Sequence, residues 1–183
     1  MQRQEAVASI QAKVKNQNTV KHMLATEAIM MALARRLGQD EDAWGLAGLV
    51  HDIDLELIQG DMQTHSRSSA EMAREMGASD EICQAILCHN EAHGISRQSL
   101  MDKALWCADP LTGLIVAGAL VRPDKKLAGL DVSSLVKRFG EKRFAAGASR
   151  EQIASCVKIG LEMEEFLSLG LEAMKGIAPE LGL

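Results

Sequence analysis

The chain has 183 residues, of which 47% are hydrophobic and 3% aromatic, and its formal net charge is −5 at pH 7. This length suits one domain, and a composition rich in Ala, Leu, Met and Glu with only three prolines favours helices over sheets. The acidic balance argues against a broad nucleic-acid-binding surface, which needs clustered positive charge. We therefore predict an all-α fold, a bundle of roughly eight to ten helices.

The sequence contains no evident targeting or membrane segment. The N-terminal residues MQRQEAVASIQAKVK lack the apolar run of a signal peptide, and the longest apolar run, around 114–121, is too short to span a bilayer. The four cysteines form no Cys-x-x-Cys pair, and each falls in a helical apolar pattern, which is typical of core residues in a reducing compartment. We predict a soluble, cytoplasmic protein with no membrane partner and no nucleic-acid partner.

In chain order, apolar spacing and capping signals predict helices over 4–15, 40–52, 66–76 and 80–90. A further helix is predicted from a cap at Asn18 or Thr19 to Leu37, and another from Ser96 or Ser99 through Cys107. Between them lie a short segment, 53–63, and a loop, 91–96. Pro110 is predicted to open or kink a further helix that runs to Val121. The remainder is predicted to be a helical tail: a short helix over 130–139, then a helix that opens at the capping box of Ser149 and Gln152, is interrupted at Gly170 and is completed by 171–177.

Several ionisable residues fall on the apolar faces of these helices, where burial without a partner is costly. They come from at least five segments: His22, His51, Asp52, His65, His89 and Asp109. Each alone has a structural explanation, such as a core histidine bonded to a carbonyl group, or an N-cap for the Asp that precedes Pro110. Together, imidazole and carboxylate groups suit a divalent transition metal, and six exceed the needs of one tetrahedral zinc. The set matches a two-metal site in which one carboxylate bridges both ions.

The ordered set of His22, His51-Asp52 and Asp109 resembles the HD-domain superfamily of metal-dependent phosphohydrolases. The phrases HSRSSA at 65–70, AILCH at 85–89 and KALWCAD at 103–109 are similar to those of HDIG-type small bacterial HD proteins. The resemblance implies a single HD domain over 1–183, with an HD core at about 18–122 and a helical extension at about 123–183. It also implies one or two ions, of Fe, Mn or Zn, with Mg, Co or Ni as further candidates.

The resemblance also implies how the ligands divide. One ion would be held by His22, His51, Asp52 and Asp109, and the second by His65, His89 and a bridging Asp52. Relatives carry a glycine after His-Asp-Ile and often a lysine three positions past the Asp, whereas this chain has Asp54 and Leu55 there. The candidate catalytic residues are therefore Asp52, Asp54 and Glu56, the last two as groups that could orient water.

A phosphohydrolase also needs positive charge near its metals to hold the phosphate. The candidate substrate-binding residues are chosen by their sequence distance from the metal ligands: Lys21, Arg67, Lys103 and Arg122. His93 is predicted to be a loop residue near the mouth of the site and not a ligand.

These observations predict a metal-dependent phosphohydrolase that acts on a small, nucleotide-like phosphomonoester or phosphodiester, with a homodimer as one compatible state. A second interpretation keeps a single ion and assigns phosphate contacts to His65 and His89. A third, motivated by Asp54 and Leu55, is a catalytically weak or inactive HD-domain module that binds or senses a ligand.

Overall fold

The computed structural model describes all 183 residues, which form ten α-helices, two short 3-10 helices and no β-strand. The all-α prediction is confirmed. The α-helices are α1 (Arg3–Lys13), α2 (Gln17–Leu37), α3 (Glu41–Val50), α4 (Arg67–Glu75), α5 (Asp80–Cys88), α6 (Leu100–Leu120), α7 (Val132–Phe139), α8 (Arg150–Ala154), α9 (Met163–Gly176) and α10 (Ala178–Leu181). The 3-10 helices are Glu91–His93 and Ser155–Ile159.

Local sequence signals account for most helix boundaries. Asn16, Asp40 and Ser79 cap the starts of α2, α3 and α5, where each side chain accepts a hydrogen bond from a backbone N–H of the first turn. Gly38 ends α2 in the left-handed conformation, at φ +66°. These caps fix the lengths of the helices that carry the predicted metal ligands.

The two longest helices, α2 and α6, form the centre of the bundle. α2 packs against α3, α6 and α9, and α6 also packs against α5, α7 and α8. One hydrophobic core extends from Ala6 in α1 to Leu181 in α10, so it includes residues of both the predicted HD core and the predicted extension. Pro110 lies inside a single continuous α6 and does not open a separate helix.

A close backbone contact brings α3 onto α2. A Cβ atom on Gly48 would lie 2.8 Å from the carbonyl oxygen of Thr26 and 2.9 Å from the amide nitrogen of Glu27, closer than real Cβ atoms come. Only glycine allows this approach, and it sets the end of α3 beside the first half of α2.

The C-terminal helices break at a different glycine from the predicted one. Gly160, at φ +79°, ends the 3-10 helix Ser155–Ile159, whereas Gly170 lies inside α9. A Cβ on Gly170 would lie 2.6 Å from Leu111 Cδ2, so this glycine serves helix packing. The prediction of a break at Gly170 was therefore wrong, because sequence alone does not distinguish a glycine that packs against a neighbour from one that turns the chain.

One helix, α6, is long and apolar enough to cross a membrane by length and composition, but 61% of its apolar window is buried inside the fold. That burial is typical of a core helix. All four cysteines are also buried, as their apolar patterns predicted.

Candidate metal centre

The six predicted metal ligands meet at one place, although five different parts of the fold supply them. His22 lies on α2 and Asp109 on α6, the two central helices. The others sit at helix ends: His51 and Asp52 follow α3, His65 precedes α4 and His89 caps the end of α5. The side chains at the helix ends converge on Asp52, whose carboxylate oxygens lie 3.4–3.5 Å from the Nε2 atoms of all four histidines.

Four of these side chains form a first cluster of ligand atoms. His22 Nε2 lies 3.2 Å from His51 Nε2, 3.4 Å from Asp52 Oδ2 and 3.1 Å from Asp109 Oδ1. His51 Nε2 lies 3.4 Å from Asp52 Oδ2 and 3.9 Å from Asp109 Oδ1. Ligands about 2.1 Å from a shared ion are separated by roughly 3.0–3.4 Å at octahedral or tetrahedral angles. The spacing therefore fits one divalent ion.

The other oxygen of Asp52 faces a second pair of imidazoles. Asp52 Oδ1 lies 3.5 Å from His65 Nε2 and 3.4 Å from His89 Nε2. One carboxylate thus turns its two oxygens to two groups of histidines, the geometry of a bridging ligand in a two-metal site.

Hydrogen bonds at Nδ1 set the tautomers of all four histidines. His51 and His89 donate from Nδ1 to the carbonyl oxygens of Gly48 and Ile86, at 2.8 and 2.5 Å. His65 donates from Nδ1 to Asp54 Oδ1 at 2.8 Å.

The Nδ1 atom of His22 lies 2.9 Å from Thr112 Oγ1, whose hydroxyl already donates to the carbonyl oxygen of Asp109 and must therefore accept. In the neutral rings every Nε2 then carries a bare lone pair, the form that binds metal.

Electrostatics indicates that a cation belongs among these groups. Burial alone would lower the pKa of His22, but its hydrogen bonds to Asp109 and Asp52 raise that pKa from 6.5 to about 10. Burial alone would raise the pKa values of the two carboxyls, but charge and hydrogen bonds from the surrounding histidines hold both below their usual range. Without a metal the carboxylates draw a proton onto His22, and a divalent cation would satisfy the same lone pairs and charges. The donor set fits a divalent transition metal.

Asp54, predicted as a catalytic residue, is fully buried and serves the ligands. Its Oδ1 accepts from His65, and its Oδ2 accepts the backbone N–H groups of Ser66 and Ser69 at 2.8 and 3.1 Å. Burial alone would raise the pKa of Asp54, but the bonds from His65 and Ser69 lower it. The structure therefore places Asp54 behind His65, where it fixes the ring and caps α4, because both oxygens are already occupied there.

Glu56 lies apart from the site. Its exposed carboxylate accepts the backbone N–H of Asn16 at 2.6 Å, beside the start of α2 and six residues before His22. This bond, with that of Lys15, lowers the pKa of Glu56. The geometry gives Glu56 no contact with the ligand cluster, so we assign it no part in the chemistry.

The four predicted phosphate-binding residues are dispersed. Lys21 lines a cavity with His22, and Lys103 lines a different cavity with Trp106. Arg67 donates to Nδ1 of His93. Arg122 pairs with Asp124 at 3.1 Å and packs against Gly129, so its charge is used in the turn after α6.

Asn90 and His93 were not predicted to act at the site, yet they hold one ligand in place. Asn90 Nδ2 donates to the carbonyl oxygen of His65 at 3.1 Å, and His93 Nε2 donates to the same oxygen at 2.7 Å. His93 is no ligand, consistent with its prediction as a loop residue. The only sequence feature that pointed to this role of Asn90 was its position directly after the predicted ligand His89.

Two cavities are lined by residues of α6, and one of them includes the ligand His22. The His22 cavity, of about 490 Å³, is lined by His22, Lys21, Thr112 and the segment Leu181–Leu183. The Trp106 cavity, of about 510 Å³, is lined by Trp106 with Arg97, Lys103 and Lys158. The centre is open to solvent at His22 and Asp109, since their side chains are 26% and 30% exposed whereas that of His51 is fully buried.

Comparisons with known proteins agree with this geometry. Residues 19–159 match the HD domain family. The chain is 30% identical to ribonuclease Y of Oleidesulfovibrio alaskensis over 98 residues, which are 54% of this chain and 18% of that protein. It is 27% identical to ribonuclease Y of Thermobifida fusca over 165 residues, 90% of this chain and 29% of that protein.

The chain thus spans less than a third of the curated relatives it matches. No solved structure matches it. The family match covers most of the chain and includes all six residues of the cluster, His22 to Asp109. The chain belongs to the HD domain family, a family of metal-dependent phosphohydrolases.

Proposed function

We propose that this protein hydrolyses a nucleotide-like phosphomonoester or phosphodiester at a centre of two divalent metal ions. The observation that carries the proposal is the orientation of the Asp52 carboxylate. Its Oδ2 faces His22 and His51, and its Oδ1 faces His65 and His89. A carboxylate placed in this way serves two ions at once.

Bound divalent ions at such a centre lower the pKa of water and supply positive charge for a phosphoryl group. The residues of the chain hold that arrangement rigid, since each imidazole is fixed through its Nδ1 atom. Asp52 and Asp109 supply negative charge that offsets the ions. The open side at His22 and Asp109 admits a substrate phosphate, and Lys21 in the adjoining His22 cavity adds a positive charge for it.

The metal would be Fe, Mn or Zn, because mixed imidazole and carboxylate ligands favour these ions, with Mg, Co or Ni as further candidates. The relatives are named as ribonucleases, so a phosphodiester between nucleotides belongs in any substrate test. The net charge of −5 favours a small substrate over a long nucleic acid. We keep a cytoplasmic location and a homodimer as parts of this proposal.

Elemental analysis of protein purified without chelator tests the centre directly. We expect about two equivalents of a transition metal, and we expect His51→Ala and Asp52→Ala each to lose them. Glu75→Ala is the matched control, since this exposed carboxylate of α4 makes no side-chain hydrogen bond or ion pair. Metal-free wild-type protein of unchanged stability would overturn the proposal.

Two rival functions give different results. With a single ion, the protein binds one equivalent, and His65→Ala and His89→Ala lose activity but keep that metal. A ligand-binding module binds metal or ligand without turnover in a screen of phosphomonoesters, dinucleotides, cyclic nucleotides and short RNA with added Mn or Fe. Hydrolysis that Asp52→Ala abolishes would exclude the module.

A further inference from the structure

The Trp106 cavity contains none of the metal ligands, but two of its residues lie on the helix that carries Asp109. Trp106 and Lys103 precede Asp109 on α6 by three and six residues, so they lie about 4.5 and 9 Å from it along the helix axis. The volume of about 510 Å³ is that of a typical ligand pocket. A substrate that reaches from Asp109 to Trp106 and Lys103 must span about 5–9 Å along α6.

The cavity collects positive charge in an acidic protein. It is lined by Arg97, Lys103 and Lys158, and neither lysine pairs with a carboxylate. Glu91 and Glu151 also line it. Glu91 lies 3.5 Å from Arg97, but its side chain is 70% exposed, so the pair is a weak surface one. Two lysines remain free to bind an anion.

Arg97 is held in a fixed position above the tryptophan. Its guanidinium carbon lies 3.4 Å from the centre of the Trp106 ring, and its Nε is buried without a hydrogen-bond acceptor. The segment before α6 is fixed by Asp102 Oδ2, which accepts the backbone N–H groups of Gln98 and Ser99. The terminal nitrogens of this preorganised arginine make no hydrogen bond within the protein, so they are suited to an anionic oxygen ligand.

We propose that the Trp106 cavity binds a second phosphoryl group of the substrate, through Arg97, Lys103 and Lys158. The inference rests on the proposed function, which places the scissile phosphate at the metal centre. It defines the substrate class as a nucleotide with at least two phosphoryl groups, such as a nucleoside polyphosphate or a dinucleotide, and not a simple monoester.

Fluorescence tests binding without any need for activity. The chain has two tryptophans, and Trp44 is buried in the core. The change Trp44→Phe therefore leaves Trp106 as the only source of tryptophan fluorescence. Inorganic tripolyphosphate is titrated into this variant after chelator treatment, which removes anion binding by the metals. We expect a saturable change in Trp106 emission.

Lysine variants show where the anion binds. The change Lys103→Ala with Lys158→Ala should raise the dissociation constant of tripolyphosphate about tenfold or more. The matched control is Lys13→Ala with Lys142→Ala, two exposed lysines that make no ion pair. No saturable binding, or equal weakening by both pairs, would overturn the proposal. Calorimetric titration of the chain with Trp44 intact makes the same comparison if Trp44→Phe does not fold.

Kinetics of the metal-loaded protein tests whether the anion is part of the substrate. The Lys103 and Lys158 variant should lose about tenfold or more in kcat/KM for a nucleoside triphosphate, with little change for p-nitrophenyl phosphate, which has one phosphoryl group. An equal loss of kcat/KM for the two substrates would overturn the substrate assignment and would indicate a site for free phosphate. Lysine-dependent binding without hydrolysis would overturn the proposed function alone, and hydrolysis without such binding would overturn the cavity proposal alone.

Discussion

At the scale of single residues, the centre depends on what lies behind each ligand. Gly48 and Ile86 offer backbone carbonyls, Thr112 a hydroxyl and Asp54 a carboxylate, each bound to one Nδ1 atom. Such partners orient a metal-binding imidazole and raise its basicity. Asp54 is distinctive because it stands where the family resemblance implies glycine, and it makes His65 the only one of the four histidines whose Nδ1 atom bonds to a charged group.

We expect Asp54→Asn to weaken the second ion selectively. The asparagine amide has a single acceptor oxygen. It cannot accept hydrogen bonds both from His65 Nδ1 and from the backbone N–H groups of Ser66 and Ser69, so the His65 ring loses its support. Loss of such a partner costs roughly 10- to 100-fold in metal affinity. Metal titration should show the weaker equivalent lost and the tighter one kept.

Asp61→Asn is the matched control for that change. Asp61 is an exposed aspartate of the same turn segment, and its side chain accepts hydrogen bonds only from Gln63 and Thr64. Equal loss of both ions in Asp54→Asn, or no loss, would contradict the positioning role of Asp54.

The pKa of His22 predicts how pH acts on the metal-free protein. That pKa is raised from 6.5 to about 10 in the fold, so the proton on His22 stabilises the folded state fully below 6.5 and this stabilisation is lost as the pH rises towards 10. The pKa values of Asp52 and Asp109 are lowered, so both carboxylates stay charged throughout this window.

We therefore expect the free energy of unfolding of chelator-treated protein to fall between pH 7 and pH 10, measured by urea denaturation. His22→Gln should flatten this dependence, because the titrating group is absent. A wild-type stability that is constant or rises over the same window would contradict the raised pKa of His22.

At the scale of helices, the contact between α2 and α3 joins two parts of the first cluster. Gly48 lies against the backbone at Thr26 and Glu27, one turn from His22 along α2. Its carbonyl group also holds the ring of His51, three residues further on. One residue therefore sets both the distance between the helices and the orientation of a ligand.

Gly48→Ala should destabilise the fold and weaken the metal site together. A methyl group 2.8 Å from a backbone oxygen has no space unless α3 moves away from α2, which costs about 1–3 kcal/mol. Urea denaturation and metal titration measure the two effects. Gly176→Ala in α9 is the control, since nothing lies within 4 Å of the added carbon, and it should be neutral or slightly stabilising. Unchanged metal affinity in a destabilised Gly48→Ala would contradict the link.

At the scale of the whole molecule, the centre joins helices that are distant in sequence. Its ligands come from α2, the ends of α3 and α5, the start of α4 and the middle of α6. Ions bound there would link these elements in the folded state and would be released on unfolding, because the unfolded chain does not bring the ligands together. Metal occupancy and global stability should therefore change together.

Chelation should lower the midpoint of thermal unfolding. At a free metal concentration one hundred times the dissociation constant, one ion contributes about 2.7 kcal/mol to the folded state. Scanning calorimetry with and without chelator measures the shift in wild-type protein. Asp52→Ala should show almost no shift, since it removes the shared ligand, and a shift equal to that of the wild type would contradict the bridging assignment.

The sequence indicated the ligand set because His22, His51 and His89 are polar residues on apolar helical faces. It did not indicate the function of Asp54, whose partners lie 11 to 15 residues away across an irregular turn. Nor did it identify which cations lie near the site. Lys103 lines the Trp106 cavity, whereas Arg122 forms an ion pair with Asp124. Such pairings depend on side-chain positions in the folded protein, which the spacing of residues along the sequence does not predict.

The sequence by itself determined the all-α class, the helix boundaries set by caps such as Ser79 and Gly38, and the identity of six candidate ligands. These follow from local propensity, capping and periodicity, which act over a few residues. Tertiary structure alone decided that Asp52 faces two histidine groups, that Gly160 and not Gly170 breaks the C-terminal helices, and that Arg97 lies over Trp106. The physical reason is that each depends on contacts between residues far apart in the chain, and only packing of the helices fixes those distances.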